Sequence, residues 1–265
     1  MASTKNKIAL VALLVVLVQT IGVAQSTNTW GWNWKDSSLV PTNKKAQYYE
    51  FLNNQYPYPP KPRNQWELGV SVGNSYIIGD RALGSGYNGG IAGSLSLRKA
   101  LDHTFSLRGS YTGSIISIPH SNDGTVVAAK NYTHALGADV IVSLNAASHY
   151  RGNPKTNFYV LGGYSLIATK VLTKQGSDYH ILYFPQNNLI GTSGGATVKG
   201  RQGWSWLHAY NVGFGAALKI STKVNLGVEQ KFIVPVFGND YLDGTKTGNT
   251  NDIYSISSIR LNINL

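Results

Sequence analysis

Apolar side chains recur at every second position through most of the chain from Trp66 to Leu265. Trp66, Leu68, Val70 and Val72 make the first stripe, Ile91, Leu95 and Leu97 the second, and Phe105, Leu107 and Tyr111 the third. Leu136, Ala138, Val140, Val142 and Leu144 follow. The longest stripe runs from Trp206 through His208, Tyr210, Val212, Phe214, Ala216 and Leu218 to Ile220. Val224, Leu226 and Val228 precede a last stripe of Ile259, Leu261, Ile263 and Leu265, whereas 158–172 is apolar on both parities and leaves its facing open. A period of two is what a strand with one apolar face produces. The pattern predicts eight strands, most of about ten residues. Globular strands average about 5–6 residues, and a tilted strand crossing a bilayer needs about 9–11. Length therefore favours a membrane barrel over a soluble sandwich.

The connections point the same way. Between the stripes the chain runs long (74–88), short (99–103), long (117–131), medium (147–156), long (173–203), very short (221–222) and long (238–251). Outer-membrane barrels show this asymmetry, with long loops outside and short turns in the periplasm. An even number of strands puts both chain ends on the short-turn side.

Alternation alone does not say which face points inward, since a lipocalin-like soluble barrel alternates equally well. The polar parity decides. It carries Glu67, Arg98, Arg108, Asp139, Lys219, Glu229, Lys231 and Arg260, set among Gly, Ser, Ala and Asn. Charges diluted by small residues suit the crowded lumen of an eight-stranded barrel. Closure also satisfies every backbone N–H and C=O in lipid. The expected fold is all-β: an eight-stranded antiparallel transmembrane β-barrel. The aromatic residues Trp66, Tyr111, Tyr164, Trp204, Trp206 and Tyr210 fall at or near predicted strand ends and are expected in interfacial girdles.

Ahead of the barrel the composition changes twice. Lys5 and Lys7 precede an apolar run from Ile8 to Val18, and Gly22-Val23-Ala24 supplies small residues before Gln25, the pattern of a cleaved signal peptide over 1–24. Residues 25–64 are rich in Pro, Asn and Tyr, with Trp30, Trp32 and Trp34 at one end and Tyr56-Pro57-Tyr58-Pro59-Pro60-Lys61-Pro62 at the other. Proline at that density denies a continuous helix or ladder, so this segment reads as an irregular periplasmic extension in which at most 43–53 forms a short helix. The barrel occupies 65–265.

The chain has 265 residues, no cysteine and a formal net charge of +11. No cysteine excludes disulfides and thiolate metal sites. The basic residues are scattered singly and the chain is exported, so nucleic acid is not an expected partner. No cofactor and no metal are expected, since no two histidines have ligand spacing. His120, Ser121 and Asp123 lie in ordinary turn composition, as do Gly191-Thr192-Ser193-Gly194-Gly195 and Asp240-Tyr241-Leu242-Asp243-Gly244. No catalytic constellation emerges.

Two stretches carry a family resemblance. Asp36-Ser37-Ser38-Leu39-Val40-Pro41, then Glu50-Phe51-Leu52-Asn53 and Lys61-Pro62-Arg63-Asn64-Gln65-Trp66-Glu67-Leu68-Gly69, resemble the start of OmpA-like outer-membrane proteins of Bacteroidota. Gly227-Val228-Glu229 and Asp240-Tyr241-Leu242-Asp243 resemble the seventh strand and last loop of that group, and of a related small-barrel family with a member in the type IX secretion system. The resemblance implies a barrel of the bacterial outer membrane. The peptidoglycan-binding domain many such proteins carry is not expected here, because the sequence stops at the eighth strand. The resulting expectation is a non-enzymatic envelope protein with a structural or surface-binding role. Its expected partners are outer-membrane lipid and lipopolysaccharide. The alternatives are a component of an envelope or type IX-like secretion complex and a narrow, porin-like channel of low conductance.

Overall fold

A computed structural model describes residues 37–38, 40–60, 66–79, 89–118, 128–147, 156–175, 178–182, 204–221, 223–236, 242 and 252–265. The expected signal peptide, His120-Ser121-Asp123, the 191–195 glycine run, and Asp240, Tyr241 and Asp243 lie outside them.

Among the described residues there are nine strands: β1 (Trp66–Ile78), β2 (Gly89–Ala100), β3 (Phe105–Ile118), β4 (Ala129–Ser143), β5 (Thr156–Gln175), β6 (Asp178–Leu182), β7 (Ser205–Lys219), β8 (Val224–Pro235) and β9 (Ile253–Asn264). Eight of them close into an antiparallel ring in the order β1-β2-β3-β4-β5-β7-β8-β9, with β9 returning to β1. β6 pairs only with Val171–Gln175 at the end of β5. It is a short hairpin arm beyond the ring, in a stretch the sequence pattern assigns to a loop.

The ladder fixes the barrel's geometry. Following Cα partners once around from Trp66 passes Lys99, Leu107, Val140, Gly162, Val212, Phe232 and Ser255, and arrives at Tyr76. The ladder thus climbs ten residues along β1 per circuit. Such stagger accompanies strands tilted by about 35–45° and leaves an eight-stranded interior that side chains fill.

Leu68, Val72, Ile91, Leu95, Leu107, Leu136, Val140, Phe158, Val212, Phe214, Val228 and Ile259 face outward and are exposed. Ile91 is 72% exposed, Val72 62% and Ile220 62%, values found on no water-facing core stripe. The opposite parity is inside, including that of β5, where Tyr159, Leu161, Ser165, Ile167 and Thr169 are buried.

Farther along the strands, away from the chain termini, the interior turns apolar. Ile77, Ile116, Ile118, Ile167, Val171, Ile233 and Ile256 form a buried apolar layer inside the ring, and Leu242 joins it from the connection between β8 and β9. On the same stretches Asn74, Ser117, Lys130, Lys170 and Ser257 occupy the outward parity beside exposed Ile78, Ile91 and Ile115. Here the barrel has the interior of a water-soluble protein.

The described part of the extension holds the short helix expected within 43–53. A 3-10 turn at Thr42–Lys44 leads into α1 (Lys45–Leu52). Val40, Pro59 and Pro60 are buried. Tyr58 donates its hydroxyl to the Ala146 carbonyl at 3.1 Å, and its ring lies 5.2 Å from that of His103 in the β2–β3 turn. The same carbonyl accepts from Thr104 Oγ1 at 3.0 Å. The extension is therefore docked on the turn end of the barrel rather than hanging from it.

His103 makes that docking pH-dependent. Burial lowers its pKa from 6.5 to about 4, against the opposing pull of Asp102. The docked state holds the imidazole neutral while a released one protonates near 6.5. Docking is thus fully favoured above pH 6.5 and weakens as pH falls toward 4. We expect His103 to titrate by NMR near pH 4 in the intact chain and to move up toward 6.5 in Tyr58→Ala. An identical titration in both proteins would show that Tyr58 does not cover it.

Candidate functional site: the charged bar across the lumen

Five ionisable side chains meet in the middle of the ring. Arg108 on β3 and Glu229 on β8 stand four strands apart in either direction, on diametrically opposite walls, and join across the lumen through Nη1 and Oε2 at 2.6 Å. Arg108 also grips Asp139, its Cα partner on β4, through Nη2 at 2.9 Å and Nε at 3.2 Å. Lys231 Nζ reaches Asp139 Oδ2 at 3.1 Å, and Arg260 Nη1 reaches Glu229 Oε1 at 3.3 Å. Neutral groups complete the shell: Tyr159 donates to Glu229 at 2.8 Å, Asn211 to Asp139 at 2.7 Å, and Arg260 to Ser96 at 2.6 Å. Isolated charges this deep would be prohibitively costly, and it is their mutual pairing with added hydrogen bonds that makes the arrangement tolerable.

Small residues make the room. Gly215 lies between Tyr159 and Glu229 in the ladder. A Cβ there would stand 2.4 Å from the Tyr159 ring, so glycine is what lets the phenol cross to the carboxylate.

Nearer the turn end, Glu67 and Arg98, cross-strand neighbours on β1 and β2, form a separate pair at 3.3 Å. Of the eight charges expected inside, these two and the five of the bar project into the lumen. Lys219 shares their parity but not their height. It is the last residue of β7, four positions past Gly215, where the wall opens toward the turns. Periodicity reports a residue's face but not its height. Tyr159, Asn211 and Ser96 were missed because neutral side chains carry no charge signal, and Tyr159 sits where both parities are apolar.

The aromatic residues divide. Trp66 opens β1 at the turn end, with Lys99 Nζ 5.0 Å from its ring centroid, and Trp204 and Trp206 flank the start of β7. Tyr111, Tyr164 and Tyr210 lie well inside their strands instead of at the ends, because parity marks a residue's face and not its height along the strand. On the outer face Tyr111 pairs with His134 Nδ1 at 2.6 Å, and Tyr164 pairs with His208 Nδ1. His134 also lies 5.4 Å from the Trp204 ring, centroid to centroid.

The lumen is closed twice. The void bordering Arg108, Glu229, Lys231 and Arg260 measures about 20 Å³, room for about one water. Beyond it Tyr254 is a buried hub, receiving hydrogen bonds from Asn131 and Thr133 at 2.9 Å each, with Thr169 Oγ1 at 3.1 Å. Asn131 also donates to the Leu242 carbonyl at 2.8 Å, and the Leu242 amide donates to Asp252 at 2.7 Å. Among the described residues no group of His, Asp and Glu is arranged to hold a metal ion.

These features define a closed β-barrel with an ion-paired, filled lumen and an oily exterior. No family model matches the chain, and no curated protein does. Solved structures do. Neisserial surface protein A (NspA) is 10% identical, with a TM-score of 0.44 over 75% of this chain and 96% of that one. The attachment invasion locus protein Ail of Yersinia pestis is 8% identical, with a TM-score of 0.41 over 76% and 98%. The N-terminal β-barrel domain of Pseudomonas aeruginosa OprF is 9% identical, with a TM-score of 0.40 over 75% and 97%. The likeness is one of architecture. It transfers no residue, ligand or role to this chain.

Proposed function

We infer that this chain is a non-enzymatic β-barrel of the bacterial outer membrane, structural or surface-binding in role. The observation that carries the reading is the polarity of the wall. Leucine, valine, isoleucine and phenylalanine cover the outside of all eight ring strands while buried ion pairs occupy the centre. In water that arrangement exposes what should be hidden; in lipid it is the stable one. The test is fractionation and folding. Expressed in a Gram-negative host, the chain should sediment with outer membranes and migrate faster unboiled than boiled. A soluble chain whose mobility does not change on boiling would overturn the reading.

The narrow-pore alternative meets the 20 Å³ void and the apolar layer above it. Purified protein in planar bilayers should add no conductance steps. A role in an envelope or secretion complex is favoured by α1, which buries no residue and leaves Tyr49 60% and Leu52 51% exposed on the docked extension. Photo-crosslinking from position 52 in cells should then give a discrete heterologous adduct, and capture of this chain alone would sink that role.

A further inference from the structure

The outer wall is not uniformly convex. Across β2, β3 and β4 the register aligns Leu97, Gly109 and Ala138 in one row and Leu95, Tyr111 and Leu136 in the next. A side chain is missing at Gly109 and nearly so at Ala138, and the result is an open apolar groove of about 600 Å³. Going up the same faces, Leu136 is followed on β4 by His134, Tyr132 and Lys130, and Leu166 is followed on β5 by Ala168 and Lys170. Tyr132 and Lys170 are Cα partners, which brings the two lysines to neighbouring positions above the groove. A residue climbs roughly 2.5 Å along a strand tilted by about 40°. The lysines therefore stand roughly 10–15 Å above Leu136.

Read upward, the surface is acyl-shaped, then phenol, imidazole and indole, then cationic. Tyr111 holds His134 through a hydroxyl–Nδ1 hydrogen bond, and Trp204 stands beside that ring. Aromatic faces and a held hydroxyl and imidazole between an oily groove and two cations suit sugar rings bearing phosphate. We propose that this face binds one molecule of a phosphorylated, multiply acylated glycolipid of the outer leaflet. An acyl chain fills the groove over Gly109 and Ala138, and a phosphate meets Lys130 and Lys170. The proposal rests on the membrane reading above and names the lipid that reading leaves open.

The test uses the full chain in phosphatidylcholine nanodiscs doped with equal fractions of bis-phosphorylated, hexa-acylated lipid A or phosphatidylglycerol, read by native mass spectrometry. The wild-type barrel should retain one lipid A and far less phosphatidylglycerol. Lys130→Ala with Lys170→Ala should cut retention roughly 30-fold, since a cation near an anionic lipid surface is worth about a factor of five. Gly109→Phe should cut it at least about tenfold. A Cβ at Gly109 has no atom within 4 Å, so this variant fills the groove without disturbing the wall. Gly162 is equally open but lies outside the groove, so Gly162→Phe is the matched control and should bind like wild type. Equal retention of phosphatidylglycerol, or undiminished binding by Gly109→Phe, overturns the proposal while leaving the membrane barrel intact. A chain that never inserts and shows no heat-modifiable band overturns both.

Discussion

Glu229→Ala is expected to be the most damaging single substitution in the barrel. The carboxylate accepts from Arg108 at 2.6 Å, Tyr159 at 2.8 Å and Arg260 at 3.3 Å. Removing it leaves Arg260 without a carboxylate and facing Arg108, which keeps Asp139, in a space that holds about one water. Breaking a buried pair from one side typically costs about 3–5 kcal/mol, because the partner charge stays buried without compensation. The measurement is the guanidinium midpoint of refolded protein in phosphatidylcholine vesicles, together with mobility of unboiled samples. Conductance should nevertheless stay at the bilayer baseline, since the apolar layer around Ile116, Ile167 and Ile233 remains in place above the break. An unchanged midpoint would show that the bar contributes nothing. New conductance steps would show that it is the barrel's sole seal.

Leu242→Ala has the second largest expected effect. Leu242 is fully buried among the apolar residues of the upper lumen, and its backbone is held by Asn131 and Asp252. Alanine keeps both backbone bonds and removes only the side chain. The cost for such a buried leucine is about 2–5 kcal/mol. Because the residue lies in a connection rather than in the ring, the loss should appear as local opening. Hydrogen exchange at the Leu242 amide should accelerate by at least about an order of magnitude, with less change at the Glu229 or Asp139 amides. Uniform acceleration across the barrel would mean that Leu242 supports the ring itself. No change at all would remove it from the core.

The two sites also show which parts of the molecule a sequence discloses. Alternation exposed the eight ring strands because one parity touches lipid and the other does not. The inward parity was legible from charges such as Arg108 and Glu229, which lipid would not tolerate. Strand ends were legible from the connections, since the loops expected at 117–131 and 238–251 abut the end of β3 at Ile118 and the start of β9 at Ile253, but the apolar stripes stop short of them at Tyr111 and Ile259. In those stretches the inside turns apolar (Ile116, Ile118, Ile256) and the outside mixes Ser117 and Ser257 with exposed Ile91 and Ile115. The alternation changes phase, and a search for one continuous stripe loses it. Lys219 was misplaced for a related reason: its parity is inward, but its height is at the rim. The Tyr58 contact joins residues 88 apart in the chain and leaves no periodic trace.

That phase change divides the barrel between two solvents. One part is held together by surrounding acyl chains and the other by water driving isoleucine inward. Stripping lipid and warming therefore attack different ends of the same strands. Exchanging the bilayer for a short-chain detergent should loosen the rows around Leu97 and Val228 first, while the rows around Tyr254 stay protected until the whole ladder melts.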